Sequence, residues 1–181
     1  MSGLNKTVGR IVAKAWSDPE FSQRLVADTH AALAELGIAI PSGKSVVAVE
    51  NKAALTYLVL PSLRYTETQS AYADIKAFGE SYRDPRLSPL DWASRDPVFT
   101  ERLKADPKAA LRDMGMEVAD AMSVEMVQNT TTQAYLVLPA RPAEAELSTD
   151  ILRRVSDGWI PPAIRYVGLE RPMGFHPFLS A

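Results

Sequence analysis

The 181 residues contain no cysteine, only two histidines and only nine glycines. Without cysteine there can be no disulfide, no thiolate nucleophile and no cysteine metal site. Nine glycines form no phosphate-cradling loop, and no serine sits in a Gly-x-Ser-x-Gly elbow. No apolar run approaches the roughly 20 residues that span a bilayer. The start, Met1-Ser2-Gly3-Leu4-Asn5-Lys6, does not read as a signal peptide. The formal net charge of −2, with no basic run, argues against nucleic acid or an acidic membrane as partner. A cytoplasmic, bacterial-type location is expected. What remains is an ordinary globular composition, 46% hydrophobic and 23% charged, enough to bury a core.

The strongest positive feature is a segment that occurs twice. Shifted by 78 positions, Asp18–Pro61 lies on Asp96–Pro139 without a gap, and 20 of the 44 paired positions are identical. Asp18-Pro19-x-Phe21-x-x-Arg24-Leu25-x-Ala27-Asp28 returns as Asp96-Pro97-x-Phe99-x-x-Arg102-Leu103-x-Ala105-Asp106. Tyr57-Leu58-Val59-Leu60-Pro61 returns as Tyr135-Leu136-Val137-Leu138-Pro139. The expectation is a duplicated unit. Two copies are too few for a solenoid, so the copies should pair and share one core.

Within each copy the period changes from helical to extended. Leu4, Val8, Ile11, Val12 and Ala15 predict an amphipathic opening helix. Ser17-Asp18-Pro19-Glu20 reads as a capping box with the Ser17 hydroxyl as cap. Phe21, Leu25 and Val26 should face inward. Asp28 should cap a second helix carrying Leu33 and Leu36 and closed by Gly37. Asp106-Pro107 and Gly115 repeat that grammar. Val46–Val49 and Tyr57–Leu60 predict two strands joined by 50–56, and Val124–Val127 with Ala134–Leu138 repeat them. Between the copies, Tyr65–Phe78 is spaced for a helix and Asp84–Pro89 reads as a linker. Arg141–Glu146 reads as a polar connection. Ser148 or Thr149 should cap a short helix ending before Gly158.

The expected fold is thus α+β: two helix–helix–strand–strand units about a pseudo-twofold axis, strands inside and helices outside. Residues 1–83 form the first unit with its opening and linking helices, 84–158 the second, and 159–181 a proline- and aromatic-rich tail. Together they should make one compact domain.

Candidate chemical groups have structural explanations. Asp18, Asp28, Asp96 and Asp106 sit at N-caps. Asn51 and Asn129 open the turns between strands, where side-chain-to-backbone bonds are expected. Arg24 and Arg102 should form ion pairs. His30, aligned with Lys108, should be a solvated helix position, and His176 a packing or loop residue. The tail crowds Trp159, Tyr166, Phe175 and Phe178 into few positions. That apolar surface either folds back or docks on a partner.

Ala15-Trp16-Ser17-Asp18-Pro19, Arg24-Leu25-Val26-Ala27-Asp28, Ala31–Gly37, Val49-Glu50-Asn51 and Tyr135–Pro142 together resemble the nitrile hydratase alpha family. They equally resemble the nitrile-hydratase-like leader domain of ribosomally made, modified peptides. The resemblance implies a layered α/β fold and a Cys-x-Leu-Cys-Ser-Cys claw binding iron or cobalt. On this chain the claw falls on Pro61-Ser62-Leu63-Arg64-Tyr65-Thr66, with Pro61, Arg64 and Thr66 at the three cysteine positions. A guanidinium has no lone pair to offer a cation, and soft metal sites depend on thiolates. The expectation is therefore no catalytic residue, no metal and no cofactor.

The leading reading is a non-catalytic protein-recognition scaffold. Its partner would be a peptide-modifying enzyme, a beta-like subunit or a second copy, the last as a homodimer or strand-exchanged pair. A divergent nitrile hydratase-type metalloenzyme subunit and a natural-product precursor with a leader domain are the alternatives.

Overall fold

In the computed structural model, residues 3–60, 97–113, 116–157 and 169–170 are described. Asp96, Gly115, the 65–78 helix, the 84–89 linker and His176 lie outside them.

The opening helix α1 (Gly3–Ser17) buries Val8, Ile11, Val12 and Ala15 on one face, as the 3.6-residue period requires. α2 (Pro19–Ala27) follows directly. Its cap is Asp18, not Ser17: the Asp18 carboxylate accepts from the Phe21 N–H at 2.9 Å. Proline explains the correction. The residue before it is pushed out of the helical region, and Asp18 is extended (φ −135, ψ 93). Ser17 is still inside α1, where its hydroxyl donates to the Lys14 carbonyl at 3.1 Å. Phe21 and Leu25 are fully buried, whereas Val26 is 42% exposed. One helical step turns it 100° away from Leu25, so that expectation fails.

α3 (Thr29–Glu35) is capped by Asp28, which accepts from the Ala31 N–H at 3.0 Å. It ends at Gly37, whose φ of +72 is the left-handed conformation that glycine adopts freely. Strands β1 (Ser45–Glu50) and β2 (Leu55–Leu60) follow. In the second half come α4 (Pro97–Ala105), α5 (Pro107–Asp113), the two-residue β3 (Glu117–Val118), β4 (Ser123–Gln128) and β5 (Gln133–Leu138). Asp106 caps α5 through the Ala109 N–H at 2.9 Å. A single 3₁₀ turn (Glu144–Glu146) leads to α6 (Thr149–Ser156), capped by Ser148 on the Ile151 N–H. β6 (Leu169–Glu170) pairs antiparallel with β3, so the tail returns to the body at that point.

The four long strands do not pair within their own half. β1 runs parallel to β5, with Ser45 opposite Gln133 and Glu50 opposite Leu138. β2 runs parallel to β4, with Leu55 opposite Ser123 and Leu60 opposite Gln128. A shift of 78 positions turns the first register into the second with the strands exchanged. The short turn after β1 does not make a hairpin ladder; it carries the chain from one two-stranded sheet to the other.

Among the described residues, helices cover one face of each long ladder, and the buried apolar side chains beneath them fall into two clusters. In the first, α1, α2, α3 and α6 pack on Val46 and Ala48 of β1 and on Ala134, Leu136 and Leu138 of β5. In the second, Phe99, Leu103, Ala110 and Leu111 pack on Leu58 and Leu60 of β2, together with Met116, Val118 and Met122. Val59 and Val137 are fully buried yet belong to neither cluster. Strand alternation points them to the opposite face of each sheet from these helices.

Candidate functional site

β2 ends at Leu60, and the positions that carry the resemblance's metal claw follow at once. Pro61, Arg64 and Thr66 lie outside the described residues, as do Trp159, Tyr166, Phe175 and Phe178. The frame around β2 is described. Asn51 opens the β1–β2 turn and is 3% exposed. Its Oδ1 accepts from the Tyr57 N–H at 2.8 Å, and its own N–H donates to the Leu138 carbonyl at 2.9 Å. Asn129 repeats this in the second half: 1% exposed, Oδ1 accepting from Tyr135 N–H at 2.8 Å, N–H donating to Leu60 O at 3.0 Å. Each asparagine thus satisfies an outward-facing strand amide and extends the ladder by one bond. The side-chain oxygen does the first and the backbone N–H the second, so an apolar side chain here would leave the buried strand amide without its acceptor. The turn role read from the sequence is the one observed.

The stretch after β5 corresponds to the claw stretch after β2, and it is described. There the Pro139 carbonyl accepts from the indole Nε1–H of buried Trp16 at 3.1 Å. Arg141 closes the loop: its Nε–H donates to the Trp16 carbonyl at 2.7 Å, and its Nη2 reaches the Glu144 carboxylate at 2.5 Å. One tryptophan is bound at both its indole and its backbone by residues more than a hundred positions away. Arg141, expected in a polar connection, is a clamp. The signal was present in the sequence, because Ala15-Trp16 and Pro139-Ala140-Arg141-Pro142 both belong to the motifs that carry the resemblance; nothing local to either one points at the other.

Several charged groups among the described residues form ion pairs. Arg24 meets Glu35 at 3.3 Å, and Arg102 meets Asp113 at the corresponding positions of the second half. The Glu35 partner also pushes the Arg24 guanidinium above its ordinary value. Lys14 donates to Asp18 at 2.8 Å; that bond, together with the Phe21 N–H, holds the Asp18 carboxyl below the usual range. Burial raises the Tyr57 phenol, helped by the neighbouring Glu125 carboxylate. His30 is exposed as expected, but it is not idle: its Nε2 accepts from the Val46 N–H at 3.1 Å.

Among the described residues, no three of His, Cys, Asp and Glu come together as a metal site. The full sequence has no thiol, and Pro61 and Arg64 offer no anionic donor in its place. The residues present do not fit a thiolate-held iron or cobalt. No helix among the described residues is long and apolar enough to cross a membrane.

Comparison with known proteins places this architecture. The sequence profile described as nitrile hydratase, alpha chain, matches residues 2–153. The cobalt-containing nitrile hydratase subunit alpha of Pseudonocardia thermophila is 30% identical over 160 residues, covering 84% of this chain and 71% of that protein. The low-molecular weight cobalt-containing nitrile hydratase subunit alpha of Rhodococcus rhodochrous is 30% identical over 142 residues, covering 78% of this chain but 61% of its own length. Thiocyanate hydrolase subunit gamma of Thiobacillus thioparus is 22% identical over 147 residues, 74% of this chain and 53% of that one. Among solved structures, a histidine double mutant of the Fe-type nitrile hydratase from Comamonas testosteroni Ni1 superposes with a TM-score of 0.58. It has 22% identity and covers 98% of this chain and 79% of that one. A recombinant thiocyanate hydrolase gives a TM-score of 0.56 at 20% identity, covering 97% and 80%. By profile, by sequence and by fold, the chain belongs to the nitrile hydratase alpha chain family.

Proposed function

We propose that this protein is a non-catalytic member of its family, a scaffold recognised by another protein. One observation carries the reading: a chain that keeps the family's fold has no cysteine anywhere in its 181 residues. The claw chemistry that the family resemblance implies needs thiolates, and no hydroxyl or guanidinium supplies a soft anionic ligand. The partner follows from the company the chain keeps. Its relatives are named as subunits, alpha or gamma, of larger enzymes. A beta-like subunit or a peptide-modifying enzyme is the proposed partner class, and Trp159, Tyr166, Phe175 and Phe178 the proposed contact residues.

We further infer that the two halves descend from one unit. The recurrence of 20 identities in 44 positions supports this, as do the ladder registers that interchange under the same shift.

The test uses the full chain, expressed with cobalt or iron supplied, purified, and assayed for bound metal and for hydration of a simple nitrile. The expected result is far less than one metal per chain and no amide product. Stoichiometric cobalt or iron with turnover overturns the proposal in favour of a divergent hydratase subunit. A stable one-to-one complex with a co-expressed beta-type subunit or modifying enzyme, lost when the four tail aromatics become serine, confirms the recognition role. Processing of the native protein within 159–181, seen by mass spectrometry, points instead to a precursor.

A further inference from the structure

β1 has two edges. Along one, the N–H groups of Ser45 and Asn51 donate into the β5 side, to the carbonyls of Thr132 and Leu138. The alternation of a parallel ladder sends the N–H groups of Val46 and Ala48 the other way. Unpaired, these would form an open strand edge, a template for another backbone. Two consecutive residues of α3 close it. The Thr29 hydroxyl donates to the Leu25 carbonyl at 2.9 Å and accepts from the Ala48 N–H at 2.9 Å. The His30 Nε2 accepts from the Val46 N–H at 3.1 Å.

The two caps differ chemically. A hydroxyl keeps its lone pairs at every physiological pH. An imidazole accepts only while neutral; once protonated, both nitrogens are donors. The bond from Val46 therefore fixes His30 as the tautomer with a bare Nε2 and its proton on Nδ1. We propose that His30 is a pH-sensitive latch on the outer edge of β1, closed when the imidazole is neutral and open when it carries a proton.

Titratable and charged groups on the packed elements are Glu20 and Arg24 of α2, Asp28 and Glu35 on α3, Lys44 and Glu50 at the ends of β1, and Tyr135 of β5. Asp28 is committed to the Ala31 N–H, Glu35 to Arg24, and Lys44 donates to the Thr131 carbonyl. The imidazole's hydrogen bond is the one from Val46, and the ring is exposed to solvent protons. The corresponding positions of the second half carry neither a hydroxyl nor an imidazole. Pro107 and Lys108 replace Thr29 and His30, and the Lys108 ammonium, a donor only, binds the Asp120 carbonyl.

Amide hydrogen exchange on the full-length protein tests this, with Ala48 as internal control. Between pH 8 and pH 5 the exchange rate of the Val46 amide relative to Ala48 should rise about fivefold, the net worth of one hydrogen bond. In His30→Ala the ratio should stay at its acid value at every pH. A wild-type ratio that is flat across the range overturns the latch. So does a His30→Ala variant that keeps the wild-type pH dependence, since another group would then be titrating.

Discussion

The two halves solve the same folding problem with different margins. In the first, the helix layer over β1 and β5 has four helices, and Trp16, Phe21, Ile11, Leu25 and Leu33 are all fully buried within it. In the second, Leu103 and Leu111 are as deeply buried as their counterparts, but Phe99 keeps 7% of its surface, and Met116 and Met122 fill the space beside them. Flexible methionines tolerate an imperfect fit where a branched or aromatic side chain demands a shaped one. The first half also closes its strand edge with Thr29 and His30 and clamps Trp16 through Arg141. Matching segments thus form matching elements, while among the described residues the most completely buried aromatic side chains, the strand-edge caps and the Trp16 clamp lie in or on the first half.

Paired substitutions can break that comparison. Trp16→Ala should have the largest effect. It empties a buried site and leaves the Pro139 carbonyl without its donor, a loss of about 3–5 kcal/mol in urea unfolding. Phe21→Ala should fall in the same range, about 3–5 kcal/mol, and the equivalent Phe99→Ala at its lower end because the site is less sealed. Equal losses at 21 and 99 would mean that the two cores are equivalent after all. Asn51→Ala and Asn129→Ala should each cost about 1–3 kcal/mol, and by equal amounts, since each strips the same buried strand amide of its acceptor. Asp28→Ala and Asp106→Ala should each cost about 1 kcal/mol, the ordinary worth of a cap.

Acid sharpens the comparison further. Asp18 titrates below its ordinary value because Lys14 and the Phe21 N–H favour its ionised form. A carboxyl depressed in the folded state stabilises above its unfolded pKa, near 3.8, and that contribution fades as pH falls through the folded value. Thermal melts should therefore lose stability below pH 4, and Asp18→Asn should flatten part of that loss. Arg24→Met and Arg102→Met should give the smallest changes, because both ion pairs are exposed to water and screened.

Local grammar was legible in the sequence. The helices over 3–35, the Asp28 and Asp106 caps, the Gly37 stop and all four long strands follow from period and capping chemistry. The Ser17 cap failed because the constraint that proline places on its predecessor outranks a capping-box pattern. Pairing between strands was not legible. Two strands joined by a short turn look like a hairpin, and only the burial of both faces, settled by distant helices, decides against it. The Trp16–Arg141 clamp was hidden for the same reason, since neither motif names its partner. The Asn51 and Asn129 roles were readable because their partners lie six residues away.

The crossing of the ladders sets how this chain must fold. Neither half contains both strands of either long ladder, so neither can close its helices over a finished surface before the other arrives. Both ladders tie together residues far apart in the chain, and that closure entropy is spent before any strand contact repays it. Assembly should therefore be late and concerted, with each half acting as the template on which the other sets.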